Sequence, residues 1–277
     1  MKELAQFQSF DQLWREHVTC SELPRMHDDQ IEQDFWQRFM AKKTGFAPSV
    51  SSRQVVSRFL LPKLQEYGIE TALEWGPGWG NYTIPLAKSC RQVDCVDISR
   101  DVLSFLQKIG REEGCENIRL IQSKWEDYQP ERTYDLVFGY NCFYRQADLA
   151  ACLLKMNRAA KKLCVAGMDS GLAPIWTREL AQAGMPNSWE WKDYPYFAGT
   201  LYQLGIFANV TVLPYEQVYT YKNTKELLQA ECGPWAQEPR LQEKAMEILG
   251  RHFTRLPDGS WQGKTQYHSG IVWWTPV

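Results

Sequence analysis

A doubly wound α/β fold is expected, with a mostly parallel sheet and an antiparallel last strand. A helical extension precedes it and an insertion falls late in the chain. Three observations predict this. Between residues 70 and 168, short and nearly continuous apolar runs alternate with helical stretches, the pattern of parallel strands covered on both faces. The first run ends in a glycine-dense turn, Gly76-Pro77-Gly78-Trp79-Gly80. After a long excursion, a last apolar run, Gly270-Ile271-Val272-Trp273-Trp274, returns to complete the sheet.

Residues 1–50 read as the helical extension. Ser9 with Gln12 forms a capping-box pattern before Leu13, Trp14 and Val18. Asp28 or Asp29 caps a second helix carrying Ile31, Phe35, Phe39 and Met40, which stops near Gly45 and Pro48. This segment is too short for a core of its own, so its apolar residues are expected to pack elsewhere, as a lid over the crevice above the glycine turn or, in the competing reading, on the back of the sheet or in a dimer contact. A third helix starts at Ser51 or Ser52, is interrupted by Pro62 and ends near Gly68.

Residues 51–168 read as the sheet domain. Strands are expected at Thr71–Trp75, Gln92–Asp97, Asn117–Ile121, Tyr134–Gly139 and Lys162–Gly167, with helices near 80–89, 100–113 and 147–160. Residues 169–277 read as an insertion plus the final strands. A helix-like stretch (173–184) and an aromatic-rich stretch precede strands at Asn209–Leu213 and Val218–Tyr221. Helices over 224–232 and 238–255 then lead to the last strand.

Composition narrows the function. The 277 residues are 44% hydrophobic and 23% charged, ordinary for a globular chain. A net charge of -2 gives no general attraction to phosphate backbones, which disfavours nucleic acid as partner. No apolar run approaches the roughly 20 residues of a membrane-spanning helix, and Met1–Phe10 lacks an apolar signal core. Eight cysteines without a C-x-x-C pair and four scattered histidines show neither a disulfide framework nor a metal cluster. The expected location is the cytoplasm. Oligomeric state is not legible.

The chemistry concentrates at the strand ends. Ala72-Leu73-Glu74-Trp75 runs into the glycine turn, where glycine permits backbone conformations closed to other residues and lets a ligand approach the main chain. The competing reading of such a turn alone is a tight strand–helix connection. Asp97, ending the second strand, is placed to accept hydrogen bonds from ribose hydroxyls. Ser123-Lys124-Trp125-Glu126-Asp127-Tyr128 comes after the third strand. There Trp125 would pack on a base and Glu126 or Asp127 accept its amine, with an exposed acidic loop as the competing reading.

In this order the features resemble the class I S-adenosylmethionine (SAM)-dependent methyltransferase family, whose glycine motif is E/D-x-G-x-G-x-G. Glu74, Gly76, Gly78 and Gly80 match it. The resemblance covers about residues 52–168. It implies a Rossmann-like sheet, SAM as cofactor, S-adenosylhomocysteine (SAH) as product and methyl transfer as activity. By position it places the methionine half of SAM on the glycine turn, Pro77 included, and the ribose on Asp97, with Ile98 beside it. Trp125 and Glu126 would flank the adenine, and Tyr140 would lie near the sulfonium.

A nicotinamide dehydrogenase shares this sheet type, but its G-x-G-x-x-G fingerprint meets Asn81 at the third glycine position. A SAM- or SAH-binding protein without turnover is the alternative from another class. Methyl transfer needs an acceptor lone pair in line with the carbon–sulfur bond, and a base only for a protonated acceptor. Candidates past the fourth strand are Tyr140, Asn141 and Tyr144, with His268 just before the last strand as a candidate base. Gly139-Tyr140-Asn141-Cys142 departs from the N/D-P-P-Y/F of amide and adenine methyltransferases, which counts against that subclass; the acceptor is expected to be a small molecule. Trp189, Trp191, Tyr194, Tyr196, Phe197 and Tyr202 suit either an apolar or cationic acceptor or a second core.

Overall fold

In the computed structural model, residues 9–169, 173–186 and 193–277 are described. Trp189 and Trp191 lie outside them, as do residues 1–8 of the N-terminal stretch. The first elements are α1 (Phe10–Thr19), capped by the Ser9 hydroxyl, and α2 (Asp29–Met40), capped by Asp28. The third helix starts earlier than expected. Ser49, whose hydroxyl accepts from Ser52 N, caps α3 (Val50–Val55). Pro62 does not break the helical run, because the preceding turn widens into a π-turn at Val56–Leu60. Pro62 then follows directly after that wider turn, in the first turn of α4 (Leu61–Glu66).

The Rossmann-like part comprises β1 (Thr71–Trp75), α5 (Thr83–Ser89), β2 (Gln92–Asp97), α6 (Arg100–Glu112), β3 (Ile118–Gln122), β4 (Tyr134–Tyr140), α7 (Leu149–Ala159) and β5 (Ala160–Asp169). Next come α8 (Ile175–Gln182), α9 (Tyr194–Gln203), β6 (Asn209–Tyr221), α10 (Thr224–Cys232), α11 (Pro239–Leu249), β7 (Phe253–Arg255) and β8 (Trp261–Trp274). The sheet order is β3-β2-β1-β4-β5-β8-β6, with β7 paired to β8. β1 through β5 are parallel and β8 runs antiparallel to β5, pairing Asp169 with Ser269. Order reverses between β1 and β4, and the crevice outside the carboxyl ends of such strands is where ligands bind.

Three expectations for the late region change. Asn209–Leu213 and Val218–Tyr221 belong to one strand, β6. It ends the strand order among the described residues, and an edge strand tolerates Pro214 without losing a ladder donor. The helix expected over 238–255 ends at Leu249, and Phe253–Arg255 instead pairs with β8 around an Asp258-Gly259 turn. Gly259 has φ 86° there. The last strand starts at Trp261, so His268 lies inside it and not before it.

The chain divides into two compact units. The first comprises the described residues of 1–169, 192–213 and 269–277. Its strands alternate side chains between two cores. One holds Ala72, Leu136, Phe138 and Val165 with Phe59, Leu86 and Leu106; the other holds Leu73, Val137 and Cys164 with Trp14, Leu153 and Phe197. Trp14 thus makes α1 part of the core: its indole donates to Gln146 O at 2.6 Å and packs 5.4 Å from Phe197. Of the aromatic stretch, Phe197 of α9 is fully buried in this core, Tyr194 and Tyr196 are half-buried against it and Tyr202 is exposed. The second unit comprises the described residues of 170–191 and 214–268. It has its own core around Trp176, Leu227, Ile248, Leu249 and Phe253, and the Trp176 indole donates to Glu231 at 2.7 Å.

Candidate active site

The glycine turn leaves β1 at Trp75 and enters α5. Gly76 N donates to Val96 O at 3.0 Å, Gly80 N to Pro77 O at 3.1 Å and Ile84 N to Gly80 O at 3.3 Å. Gly76, Gly78 and Gly80 have φ 62°, 55° and 84°, the left-handed region that L side chains rarely enter. Their surroundings differ. A Cβ on Gly76 would fall on the Cys142 side chain, and one on Gly80 would meet Ile109 Cδ1 at 2.6 Å. These two glycines serve the protein's own packing. At Gly78 the nearest atom is Trp36 of α2, at 3.8 Å, so this backbone faces space that a ligand can use. Asn81 Oδ1 accepts from Ser49 N at 3.1 Å and Ser52 Oγ at 3.2 Å, tying the turn to α3.

Glu74 is buried and accepts from Thr83 Oγ1 at 2.6 Å, so it braces the first turn of α5. Burial pushes its carboxyl up to about 7. The native state therefore holds this proton more tightly than the unfolded chain does. The stability it contributes is complete below the usual carboxylate range and is lost as pH rises towards 7. Relative to Glu74→Gln, the parent is expected to lose several degrees of Tm between pH 5 and 7.5, measured by calorimetry.

Asp97 closes β2. Among the described residues its carboxylate takes one hydrogen bond, from Ser99 N at 2.8 Å. Burial, with Glu32 nearby, pushes it up to about 7. Ile98 is half-buried, and its carbonyl accepts from Gln122 at 3.4 Å. The ring of Trp125 already stacks within the core, 5.0 Å from Trp75 at 18°. Its carbonyl and those of Glu126 and Tyr128 accept from Lys155 Nζ at 2.6, 2.8 and 3.1 Å, which fixes this loop. The Glu126 side chain is exposed.

The ends of β4 and β5 bring together Tyr140, Asn141 and two residues that the sequence did not single out, Asp169 and Ser269. Tyr140 is buried, and burial pushes its hydroxyl well above the usual range. Asn141 has φ 54°, the one non-glycine in the left-handed region among the described residues.

Tyr144 meets another such group. Its hydroxyl donates to Glu32 and accepts from Arg25 at 3.0 Å, and burial raises it. Glu32, on α2, is almost wholly buried, pairs with Arg25 Nε at 2.9 Å and accepts from the Trp36 indole at 2.8 Å. Asp29 pairs with Arg145 at 2.7 Å and with Lys124. α2 is therefore pinned to the loops after β3 and β4, with Phe39 packed 5.3 Å from Trp79 of the glycine turn. His268 is exposed.

Residues 72–162 match the family model described as a methyltransferase domain. That stretch is a methyltransferase domain, and the sheet it belongs to has the Rossmann-like order of the class I fold. SAM is the cofactor of that family. No curated protein matches the chain. Among solved structures, it is similar to magnesium protoporphyrin IX methyltransferase from Synechocystis PCC 6803, at 13% identity. With SAH bound, that structure covers 90% of this chain and 100% of its own, at a TM-score of 0.54. With SAM bound, the figures are 90%, 98% and 0.50. The N-methyltransferase NodS from Bradyrhizobium japonicum gives 12% identity, 81% and 95% coverage and a TM-score of 0.45. At 13% identity the likeness to the Synechocystis enzyme shows the fold alone. No described helix is long and apolar enough to cross a membrane.

Proposed function

We propose that this methyltransferase acts on a small-molecule acceptor, with SAM lying along the carboxyl ends of β1 and β2. The observation that carries the reading is the Gly78 backbone, held at positive φ with only Trp36 within contact distance of an added side chain, one strand from a buried carboxylate that takes a single hydrogen bond among the described residues. These residues fit the cofactor. Gly76–Gly80 take the methionine half, Asp97 the ribose hydroxyls, and Ile98 with the Lys155-braced Trp125–Glu126 loop the adenine. Trp125 supports that loop from the core, and Tyr140 lies towards the sulfonium. When bound, SAM supplies an electrophilic methyl group. The protein's part is to hold the acceptor in line with it and keep water out.

In this reading the covering piece is α2, whereas α1 is structural. A chain starting at Pro48 would lose the buried Trp14 and Val18 and is expected to misfold. Asp29→Ala is the gentler test. It removes two partly exposed ion pairs, worth about 0–1 kcal/mol each. Tm is expected to hold within a few degrees while SAM dissociates several-fold faster in stopped-flow fluorescence.

The acceptor class is tested by incubating the protein with methyl-labelled SAM and a fractionated cell extract. Label is expected in the low-molecular-mass fraction. Label confined to protein or nucleic acid would contradict a small acceptor, and binding without any transfer would favour the non-catalytic reading.

A further inference from the structure

We propose that Asp169 is the acceptor-recognition carboxylate and that the acceptor is an amine, protonated in water. This rests on the placement of SAM just given. Asp169 ends β5 beside Tyr140 of β4 and Ser269 of β8. Its Oδ1 accepts from Tyr140 Oη at 3.0 Å and Ser269 Oγ at 2.9 Å, and its Oδ2 from Asn141 Nδ2 at 3.1 Å. Asn141 Oδ1 in turn accepts from Asp169 N at 2.8 Å. Asn141 thus clamps both ends of Asp169, from a left-handed backbone conformation that costs energy and is characteristic of functional positions.

The electrostatics of this group are unusual. Its side-chain partners among the described residues are all neutral, so the carboxylate is oriented by three donors and its charge is left uncompensated. Ser269 and Tyr140 are buried behind it, while Asp169 is half-buried and Asn141 is open to solvent. The carboxylate therefore stands at the wall of the site and retains lone-pair capacity.

Gly167 has no Cβ where the Tyr140 ring lies, so that ring rests on the sheet on the same face as Asp169 and Ser269, whereas Tyr194 packs over Gly270 on the opposite face. Tyr82 packs 4.9 Å from Tyr140. A fixed carboxylate whose side-chain partners among the described residues are all neutral is complementary to an ammonium group, through a charge-assisted hydrogen bond.

The step balances. The bound ammonium releases a proton to solvent through the Asp169 carboxylate. Its freed nitrogen lone pair then forms a bond to the methyl carbon, and the carbon–sulfur electron pair returns to sulfur. Methylammonium and SAH result.

The full chain would be titrated calorimetrically with phenethylamine, 2-phenylethanol and 3-phenylpropanoate, each with and without SAH. The amine is expected to bind at least about tenfold more tightly than the alcohol, and the acid more weakly still. Asp169→Asn should abolish the preference and leave the SAH Kd within about twofold. An alcohol that binds as well as the amine, no binding of the amine, or an unchanged preference in the variant would overturn the proposal. Should the variant not fold, the comparison on the parent protein decides. A chain that binds SAH without preferring the amine sinks this inference alone. One that prefers the amine but ignores SAH sinks the cofactor placement instead.

Discussion

Gly78→Val is expected to lower SAM affinity by about two orders of magnitude while the protein stays folded. Two of the three turn glycines cannot serve this test, because side chains at 76 and 80 would strike Cys142 and Ile109 and damage the packing. At Gly78 a Cβ meets nothing closer than Trp36 at 3.8 Å, so the folded state bears only the backbone cost of φ 55°. That cost is about 1–2 kcal/mol, well within ordinary stability. The valine methyls would occupy the space that the cofactor's methionine half needs. Displacing its main-chain contacts accounts for about 3 kcal/mol, or about a hundredfold in Kd. Gly78→Ala should fall between parent and valine. Calorimetric titration reads the affinity and a thermal melt confirms the fold. An unchanged Kd in a folded Gly78→Val protein would move the ligand elsewhere.

Asp97 carries the second large effect, and it depends on pH. Ribose hydroxyls donate, so they require the ionised carboxylate, yet burial holds this group at about 7. SAM affinity is therefore expected to rise between pH 6 and 8 and to level off above the pKa. Asp97→Ala should weaken binding by at least about tenfold, since a hydrogen bond to a buried charge is worth about 1.5–3 kcal/mol. Asp97→Asn should bind weakly and with a flat profile around 7. If the variant kept the parent's slope, the titrating group would be another carboxylate, Glu74 being the first to examine.

The parts of this architecture that sequence revealed are those written in local pattern. β1 and β2 begin and end at the expected residues because their apolar runs are bounded by Glu70 and Gly76 on one side and by Arg91 and Ile98-Ser99 on the other. The glycine turn and Asp97 are legible for the same reason: their spacing is fixed by one strand–helix–strand unit. Later elements depend on partners. Asn209–Leu213 and Val218–Tyr221 read as two strands until β6 is seen at the end of the sheet order, and 250–255 reads as helix until β8 offers Phe253 a pairing partner.

The candidate site divides along the same line. Tyr140 and Asn141 were legible as the residues leaving the fourth strand. Asp169 and Ser269 are 100 positions apart and become one group only through the antiparallel pairing of β5 with β8. Glu32 is a charged residue on a helix, where the ordinary reading is a solvated face. Its burial comes from Arg25, Trp36 and Tyr144 closing around it. Trp125 shows the opposite case, a residue type suited to stacking on a base whose ring the fold has already stacked on Trp75.

The claim on which the rest depends is that the crevice at the ends of β1 and β2 binds SAM. Isothermal titration of the purified chain with SAM, SAH and NAD tests it most directly. Single-site heats with SAM and SAH and none with NAD are the expected result. Saturable binding of NAD, with no heat from either SAM or SAH, would contradict it.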